Sequence, residues 1–202
     1  MFDDLLRRLK DRLLAPVAVR LGHAVHPNTV TVLALLCGLA VALLAARRHY
    51  GAALALWAVN RVLDGLDGTL ARVTHRQSDF GGYLDILLDF VVYAAVPLGL
   101  VHGAGTPGAA RAGAWLLAAF FVNAASWMYL AAVLERRAAG AASRGELTTV
   151  TMPPGVVAGA ETVVLYALFL AFPGHLSFLF TLMAALVAVN VVQRLIWASR
   201  KL

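Results

Sequence analysis

The chain has 202 residues, 61% hydrophobic and only 14% charged, with a net charge of +6 and a mean hydropathy of +0.78. Soluble domains carry about a quarter charged residues, so the composition excludes an ordinary soluble fold and points to one all-α integral membrane protein. Long continuous apolar runs exclude the short alternating segments of a membrane β-barrel, and basic residues flanking apolar runs, with no aromatic-interleaved basic patch, exclude a nucleic-acid surface.

In chain order, residues 2 to 14 place Phe2, Leu5, Leu6, Leu9 and Leu13 on one helical face, with Arg7, Arg8, Lys10, Asp11 and Arg12 mostly on the other. This pattern predicts an amphipathic interfacial helix with cations facing lipid headgroups. An ordinary helix packing on a partner is the alternative. Pro16 is expected to kink or end it. Six spans are predicted: about 29–46, 50–72, 80–101, 111–134, 153–172 and 175–197. Each approaches the length that a bilayer core requires. The chain therefore divides into an N-terminal juxtamembrane segment, 1–26, and a six-helix transmembrane domain, 27–202.

Basic residues set the orientation. With the N-terminus inside, 14 of the 17 lysines and arginines fall on the inner side, and only Arg47, Arg48 and Arg111 fall outside. Both termini are thus expected in the cytoplasm, as is the loop between spans two and three. Gly38, Ala42, Ala52, Ala53, Gly155 and Gly159 are candidates for close helix packing. The lone cysteine, Cys37, sits in an apolar run and reads as a small buried hydrophobe. It leaves no disulfide within the chain and no cysteine-based zinc site. No apolar core follows the basic N-terminus before about residue 29, so no cleavable signal peptide is expected.

Asp64, Asp67, Asp85 and Asp89 stand where charge is most costly. On helices, spacings of three and four put each pair on one face. The short loop between predicts antiparallel neighbouring helices, so all four carboxylates are expected to converge. Converging carboxylates repel one another, and bound divalent cations resolve the repulsion. An oxygen-only donor set suits Mg²⁺ or Mn²⁺, and two such ions are suited to clamping a diphosphate. Gly65, Gly68, Ala71, Gly81 and Gly82 leave room for a bulky polyanion, and Arg72 is placed to meet a phosphate oxygen. Two other readings stay open on these residues: acids pairing with Arg61, Arg72 and Arg76, or an ion or metal transporter whose acids line a path.

The pattern Asp64-x-x-Asp67-Gly68-x-x-Ala71-Arg72, eight residues, Gly81-x-x-x-Asp85-x-x-x-Asp89 resembles the signature of the CDP-alcohol phosphotransferase (CDP-alcohol phosphatidyltransferase) family at all eight fixed positions. The Pro27-Asn28-x-x-Thr31 opening of span one and the six-span layout resemble that family too. The resemblance implies transfer of a substituted phosphate from a CDP-linked donor, such as CDP-diacylglycerol, to an alcohol, with release of CMP, in phospholipid biosynthesis. It implies two divalent cations held by Asp64, Asp67 and Asp85 with Asp89 near them, and Asp89 as the general base. It places Asn28, Thr31, Asp64, Gly68, Ala71, Arg72 and Gly81 at the CDP moiety. Helix capping and packing are alternative roles for Asn28 and Thr31. The family also implies a homodimer, and the bacterial inner membrane is the expected location.

The signature does not identify the acceptor. Ser143 to Thr148 lies where phosphatidylglycerophosphate synthases carry a Gly-Lys-rich element, but Glu146 stands where lysine is expected. Arg136, Arg137, Arg144 and Glu161 are the candidate acceptor-pocket residues. Inner-loop positive charge is the alternative for the arginines, and a hydrogen bond between helices for Glu161.

Overall fold

The computed structural model describes residues 13–22, 24–137, 155 and 157–202. Residues 2 to 12, Arg144 and the 143–148 segment lie outside these. The described residues are helical, with no strand among them: α1 over residues 13–21, α2 Pro27–Ala46, α3 Tyr50–Val73, α4 Asp79–Ala104, α5 Pro107–Arg136, α6 Gly159–Ala171, a 3₁₀ turn Pro173–His175 and α7 Leu176–Lys201. Among the described residues, four helices are long and apolar enough to cross a membrane: α2, α4, α5, and the turn with α7. With this composition they define an integral membrane protein. The 24 residues of α3 are interrupted by Arg61, Asp64, Asp67 and Arg72. The predicted fifth span corresponds to a helix of 13 residues, shorter than the roughly 20 that a bilayer core requires.

The chain forms two compact units. The first comprises the described residues up to Thr106, together with Tyr166–Gly174. The second comprises the described residues of Pro107–Leu165, together with His175–Leu202.

In the first unit, α2 packs against both α3 and α4. The expectation that α3 and α4 pack directly as neighbours is corrected: they have little backbone contact and meet through side chains. The reason lies in small residues. A Cβ on Gly99 would run into the Ala42 carbonyl, and one on Gly103 into the Ala45 carbonyl. Gly38 of α2 is covered by Val92 of α4 and by the Asn60 amide of α3. Gly99→Ala is therefore expected to destabilise the protein by about 1–3 kcal/mol, read as a lower thermal midpoint in detergent. Gly51→Ala, with nothing within 4 Å of its Cβ position, should leave the midpoint in place. Equal midpoints for both variants would refute this close packing.

Local signals explain the helix ends. His26 caps α2, its Nδ1 accepting the Asn28 N–H at 3.2 Å, with Pro27 at the first helical position. The cap is thus His26 rather than Asn28. Ser78 caps α4 by accepting the Gly81 N–H at 3.0 Å, and Asp79 adds a favourable charge in the first turn. Gly105, at φ 63°, ends α4 in the left-handed conformation. Arg48 donates from Nε to the Gly103 carbonyl at 2.7 Å. A cation at that helix C-terminus is favourable with respect to the helix dipole.

Pro16 does not end the first helix, which is helical through residues 13–21. Ala18 of α1 is fully buried with Val30, Leu66 and Leu70, so its described part packs on protein. Cys37, expected to be buried, is half-buried, with Sγ 3.5 Å from the Leu56 carbonyl as a weak donor. In the second unit α5 packs against α7. Asn190 of α7 holds the residues before α6, accepting the Val157 N–H at 3.1 Å and donating to its carbonyl at 2.7 Å. Gly155 gives Asn190 the space it needs, whereas Gly159 faces open space.

Candidate active site

The site belongs to the first unit. The second half of α3 carries Asp64, Asp67, Gly68, Ala71 and Arg72; α4 carries Gly81, Asp85 and Asp89; α2 carries Asn28 and Thr31. Thr31, Asp64, Asp85 and Asp89 line one cavity of about 10 Å³ together with Asn60 and Arg61. That is room for about one water-sized species.

Asp67 is 4% exposed. Its Oδ1 accepts the Gly68 N–H at 2.6 Å, while its buried Oδ2 has no hydrogen-bond partner. A buried unpartnered carboxylate oxygen is costly, and a cation removes that cost. Arg72 folds over Gly68: a Cβ there would lie 3.3 Å from its Nη1. Arg72 Nη2 reaches Thr69 Oγ1 at 3.4 Å. Asn28 Oδ1 would lie 3.3 Å from a Cβ on Gly81, so the start of α2 and the start of α4 meet at these two signature-linked positions. Thr31 is buried and donates to the Pro27 carbonyl at 3.2 Å.

Asp64 and Asp89 meet a cation already in place. Arg61 Nη1 lies 3.5 Å from Asp64 Oδ2, and its Nη2 donates to Asp89 Oδ1 at 3.3 Å. The reading in which acids pair with arginine therefore describes these two acids. Among the described residues, no three acidic, histidine or cysteine side chains stand together as a ready metal site. Asp64, Asp85 and Asp89 do share one small cavity, while Asp67 is not among the residues that line it. The donor set nevertheless fits a hard divalent cation: all oxygen, facing a water-sized cavity, with one orphaned carboxylate oxygen.

Two features escaped the sequence reading. The first is the setting of Arg61 among Asn60, Trp57 and Tyr93. Its signal was present: an Asn-Arg pair in an apolar run, one turn before Asp64. The second is Arg194 of α7, 6% exposed. Its Nη1 donates to Asn123 Oδ1 at 3.1 Å and Ser126 Oγ at 3.3 Å, and its buried Nε has no partner. Of the acceptor candidates, Arg136 is exposed at the end of α5. Arg137 donates to the Leu202 carbonyl at 2.9 Å. Glu161 is exposed in the first turn of α6, where its Oε2 accepts the Ala158 N–H at 3.0 Å.

Fold and site together define a helical membrane protein with an acidic, small-residue-lined site on α2, α3 and α4. The family model for CDP-alcohol phosphatidyltransferase matches residues 24–196, and the chain belongs to that family. It is 32% identical over 192 residues to the inner membrane protein YnjF of Escherichia coli, covering 95% of this chain and 91% of that protein. It is 39% identical over 71 residues to a CDP-diacylglycerol–serine O-phosphatidyltransferase of Mycobacterium bovis, covering 35% of this chain and 25% of that enzyme. Among solved structures, the phosphatidylinositol phosphate synthase PgsA1 of Mycobacterium tuberculosis with CDP-DAG bound shares the fold. The TM-score is 0.71 at 24% identity, covering 91% of this chain and 92% of that one. The same synthase in complex with manganese and citrate gives a TM-score of 0.70 at 23% identity, covering 90% and 87%.

Proposed function

We propose that the protein transfers a phosphatidyl group from CDP-diacylglycerol to the hydroxyl of an alcohol, releasing CMP, in phospholipid biosynthesis. The observation that carries this reading is the complete eight-position signature on α3 and α4, with three of its four acids lining one small cavity and the fourth carrying an orphaned buried oxygen. Relatives whose names specify a CDP-linked phosphatidyl donor support it.

In this reading Asp64, Asp67 and Asp85, with Asp89 near them, hold two Mg²⁺ or Mn²⁺ ions. When bound, the ions supply charge neutralisation for the diphosphate and for the departing CMP. Asn28, Thr31, Gly68, Ala71, Arg72 and Gly81 receive the CDP moiety: the glycines and Ala71 admit it, and Arg72 pairs with a phosphate oxygen. Asp89 takes the proton from the acceptor hydroxyl as its oxygen bonds to phosphorus and the bond to CMP breaks. Catalysis is then mostly positioning and electrostatics.

The finer membrane arrangement belongs to the same proposal. It comprises six spans over residues 27–202, an interfacial helix in residues 1–26, cytoplasmic termini and active site, a homodimer and the bacterial inner membrane. The inner-membrane relative supports the location. Arg136, Arg137, Arg144 and Glu161 are proposed acceptor residues, to be tested singly by charge removal against an alcohol panel.

The deciding assay uses the full chain in lipid with Mg²⁺ or Mn²⁺, labelled CDP-diacylglycerol and alcohols that include glycerol phosphate, inositol phosphate and serine. Metal-dependent CMP release with one of them is expected. No release with any donor–acceptor pair, alongside Mn²⁺ flux across vesicles, would replace the transferase with a transporter.

A further inference from the structure

Arg61 is held on several sides in the first unit, with only 11% of its side chain exposed. Its guanidinium carbon lies 4.6 Å from the Trp57 ring centroid and 5.3 Å from that of Tyr93. Nε donates to Asn60 Oδ1 at 2.8 Å and Nη1 to the Tyr93 hydroxyl at 3.0 Å. Those partners are themselves fixed. Asn60 is fully buried and donates to the Ala34 carbonyl of α2 at 2.7 Å. Tyr93 packs edge-on against Trp57 and Tyr166, and the Tyr166 hydroxyl donates to its carbonyl at 2.6 Å. Trp57 and Tyr166 are stacked with centroids 5.3 Å apart. The remaining donors point at the acids, Nη1 toward Asp64 and Nη2 toward Asp89.

Ordinary packing does not account for this arrangement. A buried guanidinium is costly unless its donors are met, and here aromatic faces and neutral oxygens hold the head while its charge is turned on the site. Asp64 and Asp89 lie on different helices with little backbone contact. Arg61 bridges both, and both line the cavity that it shares with Asp85 and Thr31.

We propose that Arg61 is the positioning residue of the aspartate site: a built-in cation, locked by Trp57, Asn60 and Tyr93, that fixes the Asp89 carboxylate opposite Asp64 and adds its charge to that of the bound metals. It rests on the transferase reading for what Asp89 does, and on geometry alone for the rest. Two consequences separate it from a structural brace. Removing the cation leaves Asp89 unoriented, which slows turnover without loosening the nucleotide. It also removes a positive charge beside the carboxylates, so the metal binds more tightly. A brace predicts the reverse for the metal, because a collapsed site binds it less well.

The experiment uses the full chain in lipid nanodiscs, with Mn²⁺ affinity read by spin resonance and CMP release by labelled donor. Arg61→Met should lower kcat by about 10–100-fold, leave the donor KM within about threefold and tighten Mn²⁺ binding by about threefold or more. Arg61→Lys keeps the charge but not the fork, and should recover part of kcat and the wild-type Mn²⁺ affinity. Tyr93→Phe keeps the ring and the backbone carbonyl, and by losing one hydrogen bond to Arg61 should cost about three- to tenfold in kcat. It answers the question should Arg61→Met not fold. Wild-type kcat in both Arg61→Met and Tyr93→Phe would overturn the proposal, as would joint loss of Mn²⁺ binding, donor binding and thermal stability in Arg61→Met. Wild-type protein that binds Mn²⁺ but releases no CMP would sink the transferase reading instead. The Mn²⁺ affinities would still decide for or against Arg61 as a cation of the site.

Discussion

Asp89→Asn is expected to lower CMP release by about 10²–10⁴-fold, the usual contribution of a general base, while donor binding stays close to wild type. The amide keeps the shape of the carboxylate, and its oxygen still accepts the Arg61 bond that Asp89 Oδ1 accepts at 3.3 Å. What it loses is the capacity to take up a proton. Steady-state CMP release and equilibrium binding of a non-reactive CDP analogue check the two halves separately. Wild-type turnover in this variant would remove Asp89 from the proposed chemistry. Lost nucleotide binding would make it a ligand-holding residue rather than a base.

Asp67→Asn should act earlier, on the metal. Asp67 is 4% exposed and leaves Oδ2 without a partner, so the site carries an uncompensated buried oxygen until a cation meets it. A ligand at 100 times its Kd stabilises a fold by about 2.7 kcal/mol. Wild-type protein is accordingly expected to show a higher thermal midpoint with saturating Mn²⁺. In Asp67→Asn most of that increase should vanish, together with CMP release. The metal-free midpoint should hold or rise, because neutralising an unpaired buried charge is not destabilising. An undiminished Mn²⁺-induced rise in the variant would show that Asp67 is no metal ligand.

The sequence made the long helices legible because two local signals agreed. Apolar runs fixed their middles and Pro27 the start of α2, while the ends of α4, capped by Ser78 and Gly105, fall within a few residues of those expected. The identity of the acids was equally plain, since spacings of three and four survive any helix rotation. Their neighbours were harder to read. Which helix α3 faces depends on Gly38, Gly99 and Gly103 letting α4 sink onto α2, and small residues are common in membrane helices for many reasons. Arg61 was visible as a charge, but its reach to Asp89 and Tyr93 depends on that tertiary arrangement. The setting of Glu161 was hard to read for a related reason. Apolar sequence around it looks like span, yet the described helix begins at Gly159, and its carboxylate serves the backbone there.

The arrangement of α2 against both α3 and α4 also bears on how the chain is made. Synthesis delivers α2 and α3 before α4 has emerged. With two arginines and two aspartates, α3 is a poor solo passenger into lipid. Two contacts are available to it at that moment. Asn60 can reach the Ala34 carbonyl on the helix just completed, and Arg61 can pair with Asp64 on its own. The bond from Arg61 to Asp89 forms only once the next helix arrives. Arg61 therefore has a partner on its own helix before α4 is present, and Asn60 ties α3 to α2 independently of the contacts that α4 adds.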